Sequence, residues 1–401
     1  SFVGGSPYVD RQGHGTFVAG LIAAAIGNAE GIAGMAPSAE LLVAKVVQPD
    51  LSIDVVAEAK AIRWAVDQEA RVINISLGGL RDPRNPDRDT FSPLEAAAVA
   101  YAHKRGAVVV AAVGNGDAAP RQPWSYASYP AALPHVLGVS ALARDGSAPP
   151  FSNRDKIYND ISAPGQGILS TLPRALTAPF KDCPEQGYSS CGPDDYRTAV
   201  GTSFAAPQVS AAAAVLLAAA PGLRPEQVTA LLTRTAVDVN AATGCQQCPL
   251  QRDELTGWGR LDVTAALRAL GGQIPSPDRY EPNDDAGAEA VRLCCQTKRI
   301  VATLDFWDDQ NDVYAIKLRR RQPVYVSVRG PAGTDTNLIL WKPGTTRVDD
   351  LRSLDRIATQ SAHPGPGERL SYRAKTTGWH FVQVKLGSRG AGRYKLVIVK
   401  A

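Results

Sequence analysis

Between residues 14 and about 267 two hydrophobic patterns take turns, and this alternation constrains the fold more than any other feature of the chain. Helical periodicity follows His14 and recurs across residues 55–66, 94–103, 203–220 and 225–234. Between these stretches lie short, mainly apolar runs at residues 41–47, 72–77, 107–113 and 136–141. A run without polar alternation predicts a strand covered on both faces, and strands interleaved with helices predict a parallel sheet between helical layers. The pattern then stops. Gly271-Gly272-Gln273-Ile274-Pro275-Ser276-Pro277 reads as a Gly/Pro linker. Beyond it, strands with period-two alternation at 324–328, 380–386 and 394–399 predict a second, antiparallel β-sandwich domain. The expected organisation is a first domain over 1–271, a linker over 272–279 and an all-β domain over 280–401.

Bulk properties exclude several classes of function. The 401 residues are 44% hydrophobic and 20% charged, an ordinary globular composition with material for two domains. A net charge of +4, evenly spread, gives no basis for nucleic-acid binding. The one dense basic run, Lys317-Leu318-Arg319-Arg320-Arg321, falls between strand-like segments and reads as a solvated loop. No stretch reaches the ~18 consecutive apolar residues of a membrane span, and the Ala-rich run at 209–220 reads as a buried core helix. The chain begins with Ser1 and its single methionine is Met35, so the natural start is expected upstream of residue 1.

Six cysteines are present: Cys183, Cys191, Cys245, Cys248, Cys294 and Cys295. Cys183 and Cys191, in a polar Pro/Gly loop, suit a local disulfide. Cys245-Gln-Gln-Cys248 with Cys294-Cys295 could form disulfides, stay as free thiols or make a four-thiolate zinc site, although adjacent cysteines do not readily face one metal. Disulfides, the favoured reading, would place the protein in an oxidising, extracytoplasmic compartment.

Three motifs carry chemistry. Gly201-Thr202-Ser203-Phe204-Ala205-Ala206-Pro207 sets a serine at the start of an apolar helix, where free N–H groups and the helix dipole favour negative charge. Such a serine can attack a carbonyl while its own N–H helps to hold the oxyanion. Ala112-Val113-Gly114-Asn115-Gly116 ends a buried strand with an amide able to donate a second oxyanion hydrogen bond. Gly13-His14-Gly15-Thr16 supplies a histidine suited to act as general base. Taken singly, each motif has an ordinary structural explanation: a helix cap, a turn or a core histidine.

Together they resemble the subtilisin family of serine proteases. Gly13 through Gly20 resembles its histidine motif, Gly201 through Pro207 its serine motif and Ala112 through Asn115 its oxyanion motif. Asn74-Ile75-Ser76-Leu77-Gly78-Gly79 resembles the strand that pairs with substrate backbone, and Gly257-Trp258-Gly259-Arg260-Leu261-Asp262 the closing turn. The resemblance implies an α/β, three-layer fold with a mostly parallel sheet. It implies a secreted serine endopeptidase working through an acyl-enzyme on polypeptide substrates, without a cofactor and as a monomer. His14, Ser203 and Asn115 would be catalytic. Ser76, Leu77, Gly78, Ala112, Val113 and Gly114 would bind substrate, with Ser128-Tyr129-Pro130 at the base of a pocket holding no carboxylate.

The family's orienting aspartate lies on an earlier strand, in an apolar–Asp–Ser/Thr–Gly motif, and nothing in Ser1 to Pro7 resembles it. Asp10 matches instead the loop aspartate that commonly precedes the histidine motif. The triad acid is therefore expected upstream of residue 1, together with a propeptide. The competing reading is an inactive subtilisin-fold protein that binds polypeptides; retention of both Ser203 and His14 speaks against it. A lipase-like elbow would want glycine at the position of Ala205.

The segment from Asp278 through Ala286, with Asp312-Val313-Tyr314 later, resembles the pre-peptidase C-terminal domain of secreted bacterial proteases. Asp305, Asp308, Asp309 and Asp312 could bind calcium, but they lack the glycine and closing glutamate of an EF-hand loop, and a solvated turn is the favoured expectation.

Overall fold

The computed structural model describes residues 1–177, 195–270, 276–294, 296–348, 354–388 and 390–400. The chain divides into two compact units, Ser1–Gly271 and Gly272–Ala401. The expected Cys183–Cys191 bridge lies outside the described residues.

The first unit is built on four parallel strands in the order β1 (Val72–Ile75), β2 (Val108–Ala112), β3 (Val136–Leu142) and β4 (Ile161–Pro164). β2 and β3 are buried along their whole length, as their largely apolar sequences require, with Ser140 of β3 the one polar side chain taken inside. Alternate residues serve different layers. Ile73, Ile75, Val109 and Ala111 pack with helices α2 (Val55–Asp67) and α3 (Pro93–Lys104). Asn74, on the other face, meets Ser210 of α5 (Thr202–Ala219). Helices α1 (His14–Ala23), α6 (Pro225–Arg234) and α7 (Val263–Ala269) join α5 in that layer, and an antiparallel pair, β5 (Gln166–Thr171) with β6 (Tyr196–Val200), lies with the short helix α4 (Arg174–Thr177) in the same unit. The α/β fold with helices on both faces of a parallel sheet is the architecture expected.

Start signals explain where the helices begin. Asp54 accepts hydrogen bonds from the N–H groups of Val56 and Ala57 at the head of α2. Ser92 caps α3, which has proline at its first position. By length and composition α5 could cross a membrane; 67% of it is buried against its neighbours, as a core helix requires.

One expected strand does not form. Residues 41–47 make only an isolated bridge, Val47 to Ile53, and Leu41, Leu42 and Val43 are exposed. The reason is spatial: a groove of ≈510 Å³ separates residues 39–46 from residues 71–77. A backbone without a neighbour at strand spacing has no ladder to join.

The second unit is a β-sandwich. One sheet orders β13 (Gly367–Arg373), β10 (Pro323–Arg329), β15 (Ala391–Lys400) and β8 (Thr297–Asp305). The other orders β12 (Ile357–Ser361), β11 (Thr336–Trp341), β14 (Gly378–Leu386), β9 (Asn311–Leu318) and β7 (Val291–Leu293). All pairings are antiparallel except β7 with β9. Period-two side chains from both sheets, among them Val324, Val326, Leu338, Leu340, Val382 and Leu396, meet in one core.

Candidate active site

His14 opens α1 because Gly13 before it takes a left-handed conformation (φ 80°) that glycine adopts without strain. The turn is fastened by Asp10. Its Oδ1 accepts the N–H groups of Gln12 (3.0 Å) and Gly13 (2.8 Å), and its Oδ2 accepts the N–H (2.9 Å) and hydroxyl (2.7 Å) of Thr16. Burial raises the Asp10 pKa, but these hydrogen bonds outweigh it and hold the carboxyl below its ordinary value. Asp10 is thus committed to its own loop. It acts on His14 as a nearby charge.

His14 is half-buried, and burial depresses its pKa below the ordinary 6.5 while the Asp10 charge offsets part of the shift. A general base must be neutral, so a depressed pKa extends the working range toward acid. For this chain without a further carboxylate beside His14, the acid limb of a pH profile of any His14-dependent reaction is therefore expected below 6.5; an added orienting acid would move it upward, as the Asp10 charge already does in part.

Ser203 lies in the first turn of α5, entered through Gly201 (φ 148°). A Cβ at Gly201 would stand 3.4 Å from both Asn115 Nδ2 and the Phe204 ring, so glycine lets the amide approach the helix start. Thr202 joins the two motifs. Its N–H and its hydroxyl both donate to Asn115 Oδ1 (2.9 Å each), and its Oγ1 accepts the Gly114 N–H (3.1 Å). With its oxygen occupied, the Asn115 amide keeps its Nδ2 donors on the opposite side. The Ser203 N–H belongs to the helix turn that lacks intrahelical acceptors.

The Ser203 hydroxyl donates to the Ser76 carbonyl at 3.0 Å. His14 stands beside the next residue, its ring centroid 5.6 Å from that of Phe204. His14 and Ser203 thus lie at one end of the sheet, and rotation about the Ser203 Cα–Cβ bond would be needed to turn the hydroxyl away from Ser76.

A pocket of ≈190 Å³ adjoins Ser203 and Asn115. Of the residues expected to bind substrate, Leu77, Gly78, Ala112 and Gly114 line it. Ser76 lines the groove beside β1 instead, and Val113 is fully buried in the core. Gly114 (φ 95°) is confined: a Cβ there would come within 2.3 Å of Ser128 Oγ. The structure also corrects one expectation, because the exposed Asp117 lines this pocket and gives it a carboxylate.

Sequence reasoning passed over Thr202 as a link and Asn153 as a wall. Asn153 Nδ2 donates to the Val113 carbonyl (2.9 Å) and to Ser128 Oγ (3.3 Å). Thr202 was visible inside the serine motif, but Asn153 carries no local signal.

The loop at 124–131 is anchored by a buried ion pair. Asp155 Oδ2 accepts Arg81 Nη1 (2.7 Å) and the Ala127 N–H (2.9 Å), while Oδ1 accepts the N–H groups of Ile157 (2.8 Å) and Tyr158 (3.1 Å). Removing one partner of such a pair strands the other charge in the interior. Asp155→Ala is expected to cost about 3–5 kcal/mol in urea unfolding; a loss below about 1 kcal/mol would show the pair to be dispensable.

The groove beside β1 is the larger cavity. Gly15, Val18, Ala19 and Ile22 of α1 line it, with Glu58, Ala61, Ile62 and Ala65 of α2. Residues 39–46 and 71–77 form its sides. Among the described residues β1 is hydrogen-bonded along one edge only, so its other edge faces this groove. Burial first, then Glu95, pushes the Glu58 carboxyl up to about 8.

Comparison with known proteins agrees with this architecture. The sequence profile of the subtilase family matches residues 3–259. The chain is 34% identical over 286 residues to a probable subtilase-type serine protease of Deinococcus radiodurans, covering 71% of this chain and 35% of that protein. It is 33% identical over 250 residues to thermitase of Thermoactinomyces vulgaris, covering 60% and 76%. A cell wall-associated protease of Bacillus subtilis is 35% identical over an alignment spanning 98% of this chain and 42% of its own. Among solved structures, sphericase superposes with a TM-score of 0.52 at 30% identity over 66% of this chain and 83% of its own. The chain belongs to the subtilase family of serine-type peptidases. It spans only about a third of the length of the Deinococcus relative.

Proposed function

We propose that this chain carries the catalytic machinery of a serine endopeptidase acting on polypeptides. The observation that carries this reading is the Thr202 bridge, which orients Asn115 beside Ser203 at the edge of a pocket. Ser203 Oγ attacks the scissile carbonyl carbon and passes its proton to His14. The oxyanion is held by Asn115 Nδ2 and the Ser203 N–H. His14 returns the proton to the leaving amine, and water then hydrolyses the acyl-enzyme by the same route. This chemistry needs no cofactor.

The acid that orients His14 comes, in this reading, from a further strand seated in the groove beside β1. Sheet neighbours here run parallel. A parallel strand in the groove would end on the side of Ser76, which holds Ser203, and so near His14. Substrate would lie along Ser76-Leu77-Gly78 as an added strand. Asp117 at the pocket suits a basic or polar side chain before the scissile bond.

The family includes relatives with different addresses, since both a cell wall-associated and a major intracellular protease of Bacillus subtilis match. An extracytoplasmic location is supported instead by Cys245 and Cys248, which form a disulfide with Cα atoms 5.3 Å apart. The same pairing takes two of the four thiolates that a zinc site would need.

One observation favours the binding-protein alternative: the Ser203 hydroxyl is engaged by Ser76 and Asp10 by its own loop. A phosphonylating serine-protease reagent separates the two readings when the acid-bearing strand is supplied. A stoichiometric mass increase at Ser203, blocked by denaturation, supports the endopeptidase. An unmodified Ser203 in the complemented protein supports binding alone.

A further inference from the structure

One face of the second unit collects cations that the sequence scatters over some hundred positions. In the sheet β13-β10-β15-β8 successive side chains alternate between two faces. Leu370, Val326, Leu396 and Ile300 point into the sandwich core. On the opposite face stand Arg369 and Arg373 of β13, Arg329 of β10, Arg393 and Lys395 of β15, and Arg299 of β8, all exposed. Register joins them into one patch. Arg329 lies directly across from Lys395. In the next row Arg369 and Arg299 are linked through Ser327 and Val397.

No carboxylate on this face balances them. The four strands contain two acids, Asp305 and Glu368, and both are buried. Asp305 Oδ1 caps a turn by accepting the N–H groups of Trp307 (2.6 Å) and Asp308 (3.1 Å), and Glu368 accepts the Ser361 hydroxyl and the His363 N–H. At the rim, Asp278 Oδ2 accepts the Thr303 N–H (2.7 Å) along the β8 edge. Among the described residues none of the six cations forms an ion pair. Arg373 Nη1 donates to the Arg321 carbonyl (3.0 Å), which brings the exposed Arg319–Arg321 turn to the same end of the patch.

Fold stability gives no reason for this arrangement. Like charges directly opposite each other on neighbouring strands, as Arg329 and Lys395 are, work against a sheet. A surface of anions would reverse the sign of that effect.

The layout indicates which anions fit. The cations cover all four strands, about 14 Å across, and run about 27 Å from Arg393 to the row of Arg373. A linear polyanion crossing such a face meets one line of them, whereas a planar array of anions meets them all. Five of the six are arginine, whose planar fork binds phosphate and carboxylate through paired hydrogen bonds. Between them lie Tyr325, 54% exposed, and Val301, 50% exposed, with Val397 and Val399 half-buried. Tyrosine, with an apolar ring and a polar tip, suits the headgroup level of a bilayer.

We propose that the outer face of β13-β10-β15-β8 docks the protein on a lipid bilayer rich in anionic headgroups. The arginine forks take the headgroup phosphates and carboxylates, and Tyr325 lies among them. The attachment is peripheral, requires no membrane-spanning segment and does not depend on the catalytic reading.

Vesicle co-sedimentation of the full chain tests the proposal, with phosphatidylserine–phosphatidylcholine vesicles compared against phosphatidylcholine alone. Expected is binding to the mixed vesicles in about 0.1 M salt and release in about 1 M, where the screening length falls from about 10 Å to about 3 Å. Each cation close to an anionic bilayer strengthens binding about fivefold, so Arg329→Gln, Arg369→Gln and Lys395→Gln combined should weaken it about a hundredfold. Lys60→Gln, Lys104→Gln and Arg144→Gln combined remove the same charge from exposed positions of the first unit and should leave binding near that of the parent. Tyr325→Ser should weaken binding without changing its salt dependence. All these positions are exposed, and circular dichroism checks that the variants fold. Equal losses in the two triple variants would show a response to net charge alone and overturn the proposal. So would equal binding to phosphatidylcholine vesicles, or none to the mixed ones. Retention on heparin through the same arginines without vesicle binding would give the face to a linear polyanion and overturn it as well.

Discussion

Ser203→Ala is expected to lower kcat on a peptide substrate by about 10⁶-fold, the size of loss known for the nucleophile of subtilisin, a relative in the same family. KM should change little. Ser203 is not needed for the fold: its hydroxyl donates one hydrogen bond, to Ser76, at the edge of the pocket. The measurement is active-site-titrated turnover of a chromogenic peptide by the complemented protein, with variant and parent prepared alike. Loss of only a few fold would mean that the hydrolysis comes from a contaminant or another residue. His14→Ala should match it in kcat, because nucleophile and base act as a unit.

The second large effect concerns the groove beside β1. A strand of five or six residues, rich in valine and isoleucine and ending in aspartate, is to be joined by a flexible linker ahead of Ser1. Compared with the same segment ending in asparagine, it should raise kcat by about 10⁴-fold, the order lost when subtilisin lacks its triad acid. Both segments should raise the unfolding temperature, because each valine or isoleucine buried contributes about 1.5–3 kcal/mol. Ordering the backbone opposes this by about 1–2 kcal/mol per residue, which is why the strand is attached rather than added free. Residues 41–47 should then enter the sheet and become protected from hydrogen exchange. Stabilisation without an aspartate-dependent gain in rate would keep the groove as a strand site but remove it from catalysis. No stabilisation by either segment would sink the idea for both purposes.

Much of this molecule was legible in advance, and the reason differs from place to place. β2 and β3 were visible because strands buried on both faces are apolar at nearly every position. α5 was marked by its glycine-entered start, and the sandwich strands by period-two patterning that follows from a single buried face. Residues 41–47 are nearly as apolar as β2, with Lys45 the one polar member, yet form no ladder, because a strand exists only through its neighbour and the groove separates them from β1. Local pattern reports burial; it does not report whether a partner stands 4.8 Å away.

For the candidate site, His14, Ser203 and Asn115 could be singled out because each sits in a short motif whose glycines are demanded by its own backbone. What those residues touch was not. That Thr202 clasps Asn115, that Ser203 donates to Ser76 and that Asp117 reaches the pocket depend on chain segments brought together from 76 to 203. Asp10 was legible as a loop residue, since all the groups it binds lie within six positions of it. The carboxylate cluster of the second unit, in which Glu281, Asp309 and Asp312 each bring an oxygen to within 4.8 Å of the others, lies at the other extreme. Asp309 and Asp312 drew attention in the sequence but Glu281 did not, and only the closing of β9 against the chain around Asn283 brings Glu281 and Asp312 together out of water. Residue type and period are settled by local physics. Which oxygen faces which proton is settled by packing, since that depends on distances between parts of the chain that the local sequence does not specify.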